Sequence, residues 1–146
     1  MRFKNRLFSL LVATLSASPA LAWEHDFTRG LDLYSTTDNG ATIRVVCDPN
    51  RVYGGTESMV LIVWGGNADL NTTATLAFAG GQTITAPMVH GRLSKRDLAD
   101  TVWQPLLDGL RNAETVELTV GTATVTMNLG DAPALDRKST RLNSSH

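Results

Sequence analysis

The chain has 146 residues, 42% of them hydrophobic and 18% charged, with a formal net charge of −1. That figure conceals an asymmetry, because residues 23–135 hold seven Arg and Lys against thirteen Asp and Glu, a net of −6. An acidic body of this length argues against nucleic acid or an anionic lipid surface as partner, and it fits one domain with a modest core of its own.

Arg2, Lys4 and Arg6 form a basic start, Leu7 to Leu15 an apolar stretch, and Ala20-Leu21-Ala22 a small-residue cleavage site after the breaker Pro19. Residues 1–22 therefore read as a secretory signal peptide, and the mature protein is expected to begin at Trp23 and to be periplasmic or secreted. The apolar stretch is shorter than the roughly 20 residues that span a bilayer, and no second one follows, so no membrane span is expected. At the new terminus Glu24, His25, Asp26 and the α-amino group are donors that Cu²⁺ or Zn²⁺ accepts, but a frayed, solvated end explains them as well, and no metal is assigned. Trp23 and Tyr53 lie in terminal or turn-like segments, where exposed aromatics serve a protein partner.

Period-two alternation then dominates. Leu31 to Thr36 and Ala41 to Asp48 flank Asp38-Asn39-Gly40, where Asn-Gly supplies the positive φ angles of a tight hairpin. Ile43, Val45 and Cys47 share one face of the second strand. Met59 to Trp64 is a continuous apolar run that reads as a central strand buried on both sides. Thr73 to Phe78 and Thr83 to Val89 follow, and Pro87 predicts an edge position for the latter. The helix signal is confined to Ser94 through Asn112. Ser94 and Asp97 resemble a capping box, and Pro105 should end any helix before it, so the helix is expected to open at Pro105 with Leu106, Leu107 and Leu110 buried. Val116 to Val120 and Val125 to Leu129 form a second hairpin about Gly121-Thr122. The expected fold is mainly β, a β-sandwich or partly open barrel of about six or seven antiparallel strands with one short helix.

Cys47 is the only cysteine. In an oxidising compartment it reads as one half of a disulfide whose partner was lost by truncation, with an intermolecular bond and a small buried hydrophobe as alternatives. No Gly-x-Ser-x-Gly elbow, phosphate-cradling glycine loop or His-Glu-x-x-His pair occurs, so no catalytic residue, cofactor or metal is assigned. His90 precedes Gly91 at a strand end with no second His or Cys nearby, which suits a surface or hydrogen-bonded histidine better than a metal ligand. Arg92, Lys95 and Arg96 form the one basic cluster, a solvated face by default. Trp64 and Trp103 are expected in or at the edge of the core.

Two resemblances complete the reading. Asp136 to His146, DRKSTRLNSSH, resembles a translated sequencing adapter, so these residues are set aside as an artefact and residues 23–135 taken as a single β-rich domain truncated at its C-terminus. Leu106-Leu107-Asp108-Gly109-Leu110-Arg111-Asn112-Ala113, the strand Thr115 to Val120, then Val125-Thr126-Met127-Asn128-Leu129-Gly130 and Ala134-Leu135, resemble the C-terminal half of small exported proteins of the invasion-associated locus B type. The resemblance implies a non-enzymatic envelope or secreted protein of β-sandwich type that interacts with a host or with the cell envelope, its closing segment often followed by a cysteine. The function expected is thus an exported, non-catalytic binding module for a protein or envelope component. The alternative is a small loop-site hydrolase or metal-dependent enzyme that brings His90 or His25 together with carboxylates in a pocket.

Overall fold

The computed structural model describes residues 23–48 and 58–130. The expected signal segment, Tyr53 and the adapter-like tail lie outside the described residues. Two antiparallel sheets and one helix make up the fold, and the sheets do not close into a barrel. In chain order the elements are β1 (Glu24–Thr28), β2 (Leu31–Asp38), β3 (Ala41–Cys47), β4 (Met59–Trp64), β5 (Thr73–Phe78), β6 (Thr83–Pro87), β7 (Arg92–Ser94), α1 (Asp100–Asn112), β8 (Thr115–Val120) and β9 (Ala123–Asn128). The first sheet runs β1-β2-β3-β4-β7 and the second β6-β5-β8-β9. The chain crosses to the second sheet after β4, returns for β7, and crosses again through α1.

Among the described residues nine strands form where six or seven were expected. The two without a sequence signal are β1, exposed at every position, and β7, three residues long with Leu93 alone buried. Neither carries the apolar alternation that announces a strand, and both exist because a neighbour templates them: β2 pairs with β1 through Thr28↔Leu31, and β4 pairs with β7 through Val60↔Leu93. The hairpin at Asn39-Gly40 forms as expected, with φ of 50° and 79° at the two turn residues. Pro87 ends β6, which lies at a sheet edge.

Met59–Trp64 is one place in from the edge strand β7, and β3 holds the centre of that sheet. Its alternate residues Val60 and Ile62 are buried while Met59, Leu61 and Val63 are only half-buried on the opposite face. An apolar run thus hides an ordinary one-sided strand. Inward residues of both sheets, Ile43, Val45, Val60, Ile62 and Leu93 from one and Leu76, Ile84, Val116, Leu118 and Met127 from the other, belong to a single core cluster together with Trp103, Leu106, Leu107 and Leu110 of the helix. The outward face of the second sheet is instead rich in threonine, with Thr85, Thr75, Thr119 and Thr124 in register across its four strands. Cross-strand hydroxyl bonds of 3.2 Å (Thr75 to Thr85) and 2.9 Å (Thr119 to Thr124) lie along that row.

The helix begins at Asp100 rather than at Pro105. Proline inside a helix removes one backbone bond, yet Trp103 in the turn before it is wholly buried and pins that turn to the core. The Ser94–Asp97 segment forms a separate turn, Ser94 accepting from the amides of Asp97 and Leu98, and Ala99 precedes the helix without a side-chain cap. Gly109 faces the ring of Phe78 so closely that a Cβ there would collide with it. The helix lies close over β5 because that position has no side chain.

The disulfide expected at Cys47 is not present. Cys47 is the one cysteine of the chain and is 2% exposed, on the inward face of β3 beside Val45. The odd-numbered positions of β3 point into the core, so the thiol packs as a small hydrophobe.

Two outcomes follow from this packing. Replacing Gly109 by Ala raises helix propensity by about 1 kcal/mol, but overpacking against Phe78 costs about 1–3 kcal/mol. Urea unfolding should therefore show a net loss, which Phe78→Leu in the same chain reverses to neutral or better. Cys47 should resist Ellman's reagent in the native chain and react with one equivalent after urea unfolding, with an unfolding midpoint unchanged by reductant.

Candidate functional site

The pleat decides which side chains share a face. On β3 the odd-numbered residues are inward, so Thr42 and Arg44 point out; on β4 the outward residues are Met59, Leu61 and Val63. The register Ser35↔Arg44↔Leu61↔Arg92 then sets two arginines on either side of Leu61 in one row across β2, β3, β4 and β7. With strands 4.7–4.9 Å apart, the two arginine stems are separated by about 10 Å. Arg44 donates from Nε to Ser35 Oγ at 3.0 Å. Among the described residues neither Arg44 nor Arg92 pairs with a carboxylate.

A wall rises beside this row. Gly65 and Gly66 turn the chain out of β4, and the segment through Ala68 and Asp69 comes back against the His90-Gly91 turn. Three backbone bonds of 2.8–2.9 Å tie the parts together: Gly91 N donates to Leu70 O, Ile62 N to Gly91 O, and Met88 N to Thr72 O. Gly91, at φ +71°, is required here, since a Cβ would lie 2.5 Å from Ala68 O and 2.8 Å from Ile62 O. His90 shares the left-handed conformation at φ 50°, and the pair makes a two-residue turn between Val89 and Arg92.

The side chains of the wall form a closed network. His90 Nδ1 donates to Asp69 Oδ1 at 2.5 Å, and Asn71 Nδ2 donates to the same oxygen at 3.1 Å. Asn71 Oδ1 accepts from the His90 amide at 2.9 Å, and Asn67 Oδ1 from the Asp69 amide at 2.9 Å. The hydrogen bonds from His90 and Asn71, with the charge of His90 behind them, hold the Asp69 carboxyl below its ordinary value of 3.8. Sheet face and wall together enclose a cavity of about 370 Å³ lined by Arg44, Leu61, Val63, Asp69, His90 and Arg92 among others. Its floor is apolar, and its rim carries the two arginines and the Asp69–His90 pair.

The other residues singled out in the sequence fall elsewhere. Trp23 is not an exposed aromatic: it is only 9% exposed and belongs to the core cluster. His25 is not in a frayed end but in β1, where Nε2 donates to the buried Asp32 at 2.7 Å and the ring stacks on Tyr34 at 4.7 Å. Among the described residues no group of three His, Cys, Asp or Glu side chains is placed to hold a metal ion. Nor is any helix there long and apolar enough to cross a membrane. The basic cluster divides: Arg96 lies 3.7 Å from Asp97, Lys95 is half-buried, and Arg92 alone shares the outward row of Arg44. Asp69 and Arg44 carried no sequence signal of a site, since they meet His90 and Arg92 only through strand pairing and the wall.

A second cavity, of about 240 Å³, lies between the β5–β6 turn and the helix, lined by Phe78, Gly80, Gln82, Pro105 and Asp108 among others. It brings together no constellation of charged groups. No protein-family model, no curated protein and no solved structure matches this chain. The class is therefore defined by architecture alone: among the described residues, two antiparallel sheets and one helix, with an apolar-floored cavity bordered by two arginines and the Asp69–His90 pair on the outer face of the first sheet.

The Asp69–His90 pair gives a measurable sign. A depressed carboxyl stabilises the folded wall above pH 3.8, and that contribution is lost as pH falls through its lower native value. Carbon-detected NMR of the Asp69 carboxyl should give a midpoint below 3.8, which His90→Ala returns toward 3.8.

Proposed function

We propose that this chain is an exported, non-catalytic binding module of the cell envelope, of β-sandwich type, whose site is the Arg44–Leu61–Arg92 face and whose ligand carries an anionic group. The observation that carries this reading is the pair of arginines held in register on an acidic molecule, neither of them paired with a carboxylate among the described residues. Two guanidiniums at the rim of an apolar-floored hollow are placed to bind carboxylate or phosphate, for which their planar forks suit bidentate bonding. Periplasmic or secreted localisation rests on the basic, apolar and small-residue signature of residues 1–22. The likeness to small exported proteins of the invasion-associated locus B type agrees with a binding role at the envelope.

One observation favours a second reading, a small hydrolase. Asp69 orients His90 as a carboxylate orients a general base. The cavity lining supplies no Ser, Thr or Cys nucleophile, so such an enzyme would have to act through water, and both partners are widely exposed, 67% at His90 and 71% at Asp69. The pair is better explained as the buttress of the wall.

Titration of the isotope-labelled protein with inorganic pyrophosphate tests the binding reading. Saturable amide shifts are expected at Arg44, Leu61, His90 and Arg92. The double variant Arg44→Gln, Arg92→Gln should weaken binding at least tenfold, since hydrogen bonds to charged groups contribute about 1.5–3 kcal/mol each, with the fold intact because both side chains are exposed. Shifts spread over the surface without saturation would overturn it. Ester hydrolysis abolished by His90→Gln would favour the second reading.

A further inference from the structure

Resting on the anion-binding reading, we infer that the ligand is a single-chain amphiphile, an anionic head bound between Arg44 and Arg92 with an alkyl chain of about ten carbons lying over Leu61 and Val63 toward Ala68. Three observations converge on this class. The first is the order of groups on the sheet: the row Arg44↔Leu61↔Arg92 sets both cations at one level of the face, and Val63, two residues further along β4 on the same face, sets apolar surface beyond them, which matches a molecule with charge at one end and hydrocarbon behind it. Leu61 and Val63 are half-buried and face outward, so hydrocarbon laid on them removes apolar surface from water.

The second is size. A volume of about 370 Å³, at about 30 Å³ for each water-sized group, holds about twelve heavy atoms. Decanoate has that many. A small inorganic anion would leave most of the hollow unfilled.

The third is the state of the neighbouring sheet edge. A peptide partner would most simply add a strand beside β7, but three of the four outward backbone groups of Arg92 and Ser94 are already engaged. Arg92 N and O bond to Val89 O and N, and Ser94 O accepts from Asp97 and Leu98. The edge is closed by the chain's own turns, which leaves the hollow to a ligand that needs no ladder of main-chain bonds. His90 forms the far wall, held by Asp69 and Asn71 at a fixed distance from the apolar floor.

The test is a series of straight-chain alkanoates from butyrate to tetradecanoate, each below its micelle concentration, titrated into the labelled protein, with decanol, inorganic pyrophosphate and vesicles of phosphatidylglycerol alongside. Affinity is expected to rise about two- to fourfold per methylene, the upper figure being full burial of each group and the lower the half-open hollow. It should level off near ten carbons, with decanol at least tenfold weaker than decanoate. Val63→Ser should flatten the chain-length dependence while leaving the pyrophosphate shifts at Arg44, His90 and Arg92 in place. Equal affinity for butyrate and decanoate, with pyrophosphate still bound, would overturn the amphiphile and leave the anion-binding reading standing. Decanol binding as well as decanoate, or shifts seen with vesicles and with none of the monomers, would overturn it in favour of a neutral apolar ligand or a membrane surface. No saturable shift at this face with any anion would overturn both readings.

Discussion

The pleat of β3 and β4 is the constraint on which the rest of the molecule depends. Ile43 and Val45 on one strand, Val60 and Ile62 on the other, and Leu93 on β7 must all enter the same core, and the core admits them only if the strands pair in one register. A slip of a single residue would turn each of these side chains to solvent and bring Arg44 and Arg92 inside, where an unpaired charge is prohibitively costly. The cost of that slip is what fixes Arg44, Leu61 and Arg92 in one outward row. The candidate site is thus a by-product of core burial on the opposite face of the same strands, which fixes the backbone positions of its residues.

The loops add what the sheet by itself cannot. A bare sheet face is flat, and two arginines on it would be ordinary solvated cations. The segment after β4 and the turn before β7 make the hollow by standing against each other, and they do so through backbone bonds and the close approach at Gly91 rather than through apolar packing. Asn67, Asp69 and Asn71 then spend their polar groups on one another and on His90, so the wall is built from side chains that would otherwise be hydrated. The same economy appears at the other end of the molecule, where Asn39 Nδ2 donates to Thr126 O at 2.6 Å and Asp38 Oδ2 accepts from Asn128 N at 2.8 Å. There the tip of the β2–β3 hairpin covers the open edge of β9, an edge that would otherwise invite pairing with another chain.

Helix α1 shows tertiary packing prevailing over a local rule. Pro105 should begin a helix, and the preceding turn has no side-chain cap, yet the helix runs from Asp100 because Trp103 and the leucines behind it are more valuable buried than the missing backbone bond is costly. Gly109, a poor helix former, is retained at the point of closest approach to Phe78. Both departures from propensity lie where the helix meets the sheet, which is where packing has the most to decide.

Much of the fold was legible in the residues themselves. The strands at Leu31, Ala41, Met59, Thr73, Thr83, Thr115 and Ala123 announce themselves by alternation or apolar runs, and Asn39-Gly40 and Gly121-Thr122 mark their turns, because period and turn chemistry are local properties. The strands β1 and β7 were not legible, since a partner strand supplies the order that their own sequences lack. Nor was the site: His90 and Arg92 attracted notice singly, but Arg44 and Asp69 lie 48 and 21 positions from their counterparts, and nothing local records that distance closing. Trp23 and Cys47, read from sequence as an exposed contact and a bridging half-cystine, turn out to be core residues, because burial is set by the whole packing of two sheets and a helix. Sequence alone determined the class of the fold, the turns and most strand positions; only the tertiary structure decided which outward side chains meet, for the register that joins them is set by burial on the other side of the sheet.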